Sequence, residues 1–186
     1  MKKHLYLAFN KPYGILSQFT SEKMEETLSN FNLPKDIYAC GRLDKDSEGL
    51  LLLTNDGALI DRLLNPKNDK IKTYWVQVEK IPTADDLKKL SAGVLIGDYQ
   101  TKPCKVHILD PVFEIPERNP PIRTRLTVPT CWLELELTEG KNRQVRRMTA
   151  AVGFPTLRLI RKKIGRLELG NLSPGEYREI IKSEIV

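Results

Sequence analysis

A polar segment, Gly41-Arg42-Leu43-Asp44-Lys45-Asp46-Ser47-Glu48-Gly49, runs directly into the apolar stretch Leu50–Leu53. Three alternating carboxylates, Asp44, Asp46 and Glu48, are thus placed in a loop at the mouth of a hydrophobic core. Acids so placed could bind a hard cation or activate water on a metal. Their spacing matches the opening of a calcium loop. The twelfth position of such a loop falls on Asn55, however, where a bidentate Glu is needed, and Leu50–Leu53 occupy its seventh to tenth positions. A magnesium-dependent nuclease could use these acids, and so could plain structure, with the acids capping turns and pairing with Arg42 and Lys45.

Other chemistries find little support. The three cysteines, Cys40, Cys104 and Cys131, are scattered and form no CxxC, and the two histidines, His4 and His107, do not complete a zinc spacing. A reduced cytoplasmic protein without structural metal is expected. The longest apolar run is far below the roughly 20 residues of a membrane span, and Leu5–Phe9 is too short for a secretory segment.

The charge is unevenly placed. Lys and Arg total 30 against 24 Asp and Glu. Lys141 to Arg166 contains nine basic residues and no acid, leaving 21 basic against 24 acidic residues elsewhere. The excess belongs to one segment that also carries apolar periodicity, so it is expected to fold into a positive face suited to a polyanion.

The elements that must position these residues follow from pattern. Leu5–Phe9 and Leu50–Thr54 read as buried strands. Asn10–Gly14 reads as a turn, and Thr20–Asn30 as a loop. Ala58–Leu64 reads as a helix capped by Asp56 and stopped by Asn65-Pro66. Thr73–Glu79 reads as a strand with Tyr74, Val76 and Val78 on one face, and Thr83–Asp86 as a capping box opening a helix to Ser91. Pro111–Pro129, with five of the twelve prolines, reads as an extended connection. Trp132–Leu137 alternates as a half-buried strand, and Gln144–Val152 reads as a helix closed by Gly153 and Pro155. Ile164–Leu169 and Tyr177–Ile181 read as closing strands. The expected class is α+β, with a mostly antiparallel, mixed central sheet and a few flanking helices.

Four motifs occur in one order. They are Asn10-Lys11-Pro12-x-Gly14, then Gly41–Asp44 with Ser47–Gly57, then Lys72-x-Tyr74-x-Val76-x-Val78, and finally Glu139–Met148. Leu159-Ile160-Arg161 and Ile164–Gly170 follow. Together they resemble the RsuA-type ribosomal pseudouridine synthases over nearly the whole chain. Most members carry an N-terminal RNA-binding module of the S4 type. Here the catalytic part starts within ten residues, as in the large-subunit pseudouridine synthase E subgroup. The resemblance implies a single catalytic domain over residues 1–186 without that module, with a two-lobed fold and a basic cleft.

The resemblance also implies an activity. A uridine in ribosomal RNA, expected in the large subunit, would be detached at N1–C1′, turned, and rejoined through C5. No cofactor or metal is expected. Asp44 aligns with the family's essential aspartate, as nucleophile or base. Arg146 would keep it ionised, with Arg147 as a substitute, and Tyr74 would lie against the flipped base. Leu159 would close the pocket, and Arg42 would fill the gap left by the extruded uridine. Lys11, Gln144, Arg143 and Arg147 would contact substrate, and Lys162 and Lys163 are further phosphate candidates. The expected partner is ribosomal RNA or a ribosomal particle, engaged by a cytoplasmic monomer away from any membrane. The alternative is a non-catalytic RNA-binding or ribosome-assembly factor.

Overall fold

A computed structural model describes residues 4–65, 70–109, 115–122 and 127–186. In chain order the strands and helices are β1 (Tyr6–Lys11), β2 (Tyr38–Ala39), β3 (Glu48–Thr54), α1 (Gly57–Leu64), β4 (Lys72–Glu79), α2 (Ala84–Ser91), β5 (Leu95–Ile96), β6 (Tyr99–Gln100), β7 (Lys105–Ile108), β8 (Thr130–Leu137), α3 (Gln144–Ala151), β9 (Thr156–Ile164), β10 (Leu167–Glu168) and β11 (Tyr177–Glu179). The class is α+β with a mostly antiparallel central sheet. The chain forms two compact units, Met1–Lys70 with Arg161–Val186, and Ile71–Ile160. No described helix is long and apolar enough to cross a membrane.

In the first unit β1 lies between β11 and β3, antiparallel to both, with Lys11 opposite Gly49 and Tyr6 opposite Thr54. Every residue of β3 is buried. A strand covered on both faces needs a continuous apolar run rather than alternation, which explains Leu50–Leu53. One core gathers Leu7, Phe9, Ile15, Leu28, Ile37, Leu51 and Leu53. Helix α1 starts where the Asp56 carboxylate accepts from Leu59 N at 3.1 Å. The same carboxylate accepts from Tyr6 Oη at 2.8 Å and Lys182 Nζ at 3.0 Å, tying the C-terminal segment to β1. These three donors, Lys182 first, hold the Asp56 carboxyl down at about 2.

In the second unit β8 lies between β4 and β7, antiparallel to both. Tyr74, Val76 and Val78 of β4 join Leu133, Leu135 and Leu137 of β8 in a core with Val145 and Met148 of α3. The opposite face is polar, and there the Trp75 indole donates to Glu134 directly across the ladder at 2.9 Å. Helix α2 opens with the expected box, Thr83 bonding Asp86 N and Asp86 bonding Thr83 N.

Three expectations need correction. The region after Pro155 is one nine-residue strand, β9, rather than a strand beginning at Ile164. Its apolar alternation is hidden because Arg158 and Arg161 are themselves buried. The basic segment is therefore not wholly a solvent-facing surface. Arg158 Nη1 donates to Pro116 O at 2.7 Å, and Arg161 Nε to Leu50 O at 2.8 Å. The Thr20–Asn30 loop contains a 3₁₀ turn at Leu28–Asn30, capped by Thr27. Of the Pro111–Pro129 connection, residues 111–114 and 123–126 lie outside the described residues.

Candidate active site

The Asp44 loop is held from three directions within the first unit. Ser17 Oγ donates to Leu43 O at 2.8 Å and accepts from Leu43 N at 3.0 Å. Gly14 N donates to Lys45 O at 2.8 Å, and Ser47 N closes a turn onto Asp44 O at 3.0 Å. The loop after β1 thus grips the residues on both sides of Asp44. Gly14 and Gly41 sit at φ +86° and +83°, the left-handed region that glycine enters without strain. Asp44 itself is partly exposed while its backbone is fixed.

Lys11 overturns its expected role. It is fully buried, at 0 % exposure, and cannot act as a surface phosphate contact. Its Nζ donates to Ile15 O at 2.7 Å and Pro12 O at 2.8 Å, with Lys45 O at 3.5 Å. Burial pushes its ammonium down to about 8, while the negative charges of Glu48, Asp46 and Asp44 oppose the shift. At neutral pH it remains largely a cation beneath the loop. Arg42 is exposed, and its Nη2 donates to Gln18 Oε1 at 2.9 Å rather than to Asp46 or Glu48. Lys45 pairs with Glu25 at 2.9 Å.

Of the remaining expected residues, Lys162 and Lys163 lie on β9 in the first unit, and Tyr74, Arg143, Gln144, Arg146, Arg147 and Leu159 belong to the second. Tyr74 and Leu159, 8 % and 4 % exposed, share one apolar cluster with Val145 and Met148. Helix α3 presents Arg146 and Arg147 in its first turn. Arg146 Nη1 reaches Thr156 O at 3.4 Å, and Arg147 Nη2 donates to Ile96 O at 2.9 Å. Arg143 is exposed and starts the helix from a left-handed backbone, φ +48°. Gln144 departs from its expected substrate contact. It is buried, its Nε2 donates to Glu139 Oε1, and its Oε1 accepts from Lys141 N at 2.8 Å.

Sequence reasoning passed over Ser17, Gln18, Tyr99 and the role of Glu139. Ser17 and Gln18 carry no local signal. Glu139 opens the last motif and stands two residues before the acid-free basic window, which was a usable cue. The thiols of Cys40 and Cys104 are pushed up to about 11 by burial, so neither offers a thiolate. Among the described residues no group of three or more His, Cys, Asp or Glu side chains could hold a metal ion.

An anchored loop whose carboxylates act on a buried cation suits attack on an organic substrate. Comparison with known proteins gives this a class. Residues 5–151 match the RNA pseudouridylate synthase family, and the chain belongs to it. A ribosomal large subunit pseudouridine synthase E from Xanthomonas axonopodis pv. citri is 56% identical over 172 residues, covering 91% of this chain and 90% of that one. The protein of the same name from Vibrio parahaemolyticus is 53% identical over 174 residues, covering 94% and 73%. The crystal structure of a pseudouridylate synthase matches with a TM-score of 0.80 at 32% identity, covering 99% of this chain and 73% of that one. The chain is an RNA pseudouridine synthase, an isomerase, and the alternative of a non-catalytic RNA-binding factor is set aside.

Proposed function

We propose that this enzyme isomerises a specific uridine in the ribosomal RNA of the large subunit, working as a monomer in the cytoplasm. The relatives at 53–56% identity carry that substrate in their names. The observation that carries the catalytic half of the reading is the Asp44 loop, clamped at Leu43 and Lys45 with Asp44 itself partly exposed.

In this reading the target uridine leaves the RNA stack, at a cost of a few kcal/mol. Arg42 offsets part of that cost by stacking where the base had been; its hydrogen bond to Gln18 holds the guanidinium ready. Asp44 acts on the ribose as nucleophile or base. The N1–C1′ bond breaks, the uracil turns, and the C5–C1′ bond forms. The C5 proton departs and N1 regains one, so atoms balance with no redox step and no leaving group. Tyr74 supplies a ring for the base and a phenol for proton relay, and Leu159 covers the opposite side of the base. Arg146 serves as the cationic partner of the catalytic carboxylate. Arg143 and Arg147, both exposed, take RNA phosphates.

The test is pseudouridine mapping of ribosomal RNA from a deletion strain. Loss of one modified position in 23S RNA, restored by the wild-type gene, is the expected result. An unchanged pseudouridine pattern in both ribosomal RNAs would refute the proposal.

A further inference from the structure

Helix α3 begins without an ordinary cap. Its N-cap, Arg143, makes no side-chain cap bond and sits at φ +48°, ψ +32°. Ser, Thr, Asp or Asn would normally serve there. A buried polar assembly lies against this helix start. The Glu139 carboxylate, 8 % exposed, accepts from Tyr99 Oη at 2.6 Å, from Lys102 N at 2.9 Å and from Gln144 Nε2. Burial alone would raise its pKa, but these three donors outweigh that and hold the carboxyl below its ordinary value. Gln144, the first helical residue, is bound at both ends of its amide, to Glu139 and to Lys141 N. A carboxylate only accepts, so it also fixes which way the amide points.

The same assembly fastens the β5–β6 hairpin. Tyr99 on β6 bonds Glu139, and the Ile96 carbonyl on β5 receives Arg147. Between them Gly97 sits at φ +69°, and a Cβ there would lie 2.9 Å from Arg147 Nη2, so a side chain at this position would displace that guanidinium. Lys141 Nζ sits 4.5 Å above the Tyr99 ring. These contacts together hold one helical turn, the turn that carries Arg146.

We propose that Glu139 is a positioning residue for the isomerisation: through Gln144 it sets the first turn of α3 and thereby the guanidinium of Arg146. This rests on the reading of Arg146 as the partner of the catalytic carboxylate. A misplacement of about 1 Å far from the reacting atoms can cost about 10²-fold in rate. Glu139→Ala removes all three acceptor contacts. Glu139→Gln can keep the two at Oε1 while its NH₂ donates to the Tyr99 hydroxyl, which can accept.

The experiment measures single-turnover rate and RNA affinity for the full chain as wild type, Glu139→Ala, Glu139→Gln, Arg146→Lys and the Glu139→Ala/Arg146→Lys pair. Glu139→Ala should lower the rate by about 10²-fold with affinity within about threefold, and Glu139→Gln should restore most of it. In the Arg146→Lys background Glu139→Ala should add little, because both act on one guanidinium. A wild-type rate in Glu139→Ala, or losses that multiply in full, would overturn the proposal. A wild-type rate in Arg146→Lys would instead overturn the reading of Arg146. If circular dichroism shows Glu139→Ala unfolded, Gln144→Met takes its place, with the same rate loss expected and an unchanged rate refuting.

Discussion

Ser17 holds Leu43 at both backbone groups, donating to its carbonyl at 2.8 Å and accepting from its amide at 3.0 Å. One hydroxyl thereby fixes the peptide immediately before Asp44, and it does so from a segment 26 positions away in sequence. Ser17→Ala would leave two buried backbone groups without that partner, at about 1–3 kcal/mol each before relaxation. We expect the variant to fold, with a lower melting temperature, and to lose roughly 10- to 100-fold in rate as the Asp44 carboxylate wanders. Single-turnover kinetics together with a thermal melt check this. A lower melting temperature with an unchanged rate would separate the clamp from catalysis.

Lys11 gives a pH signature in stability. Its folded pKa, about 8, lies below the ordinary lysine value of 10.5. The unfolded chain therefore binds the proton more tightly, and this residue's contribution to stability rises with pH between about 8 and 10.5. Across that window the stability difference between wild type and Lys11→Met should grow by an amount on the order of 3 kcal/mol. Urea denaturation at pH 7.5 and 10 measures it. A difference that is flat or falls with pH would contradict the burial of this ammonium.

Salt dependence distinguishes surface cations from buried ones. Arg143→Ala and Arg147→Ala should each reduce the slope of log affinity against log salt by up to about one unit. Lys11→Met, lacking surface access, should leave the slope unchanged. The half-buried Lys162, whose ammonium is lowered by burial, should give less than Arg143. Equal slopes for all four variants would show that exposure does not decide phosphate contact.

Much of this scaffold is legible in the chain, for identifiable reasons. Leu50–Leu53 could only be a strand covered on both faces, and Leu133, Leu135 and Leu137 could only be a strand covered on one. Asp56 and Thr83 announce their helices by side-chain chemistry acting within three residues. What pattern reading misses is the buried charge. Lys11, Arg158 and Arg161 look like surface because an ammonium or guanidinium is costly to bury without partners. The partners are backbone carbonyls, which have no letter in the sequence. The β5–β6 hairpin was invisible for another reason: strands of two residues carry no period, and part of what holds it is contact with the distant Glu139 and Arg147. Ser17 is silent because its partner is distant in sequence and is itself backbone.

The most direct measurement replaces Asp44 by Asn and asks separately for folding, RNA affinity and product. The account predicts an unchanged circular dichroism spectrum, RNA affinity within a few-fold of wild type, and no pseudouridine by carbodiimide mapping after prolonged incubation. Modified uridine at the wild-type position with that variant would contradict it.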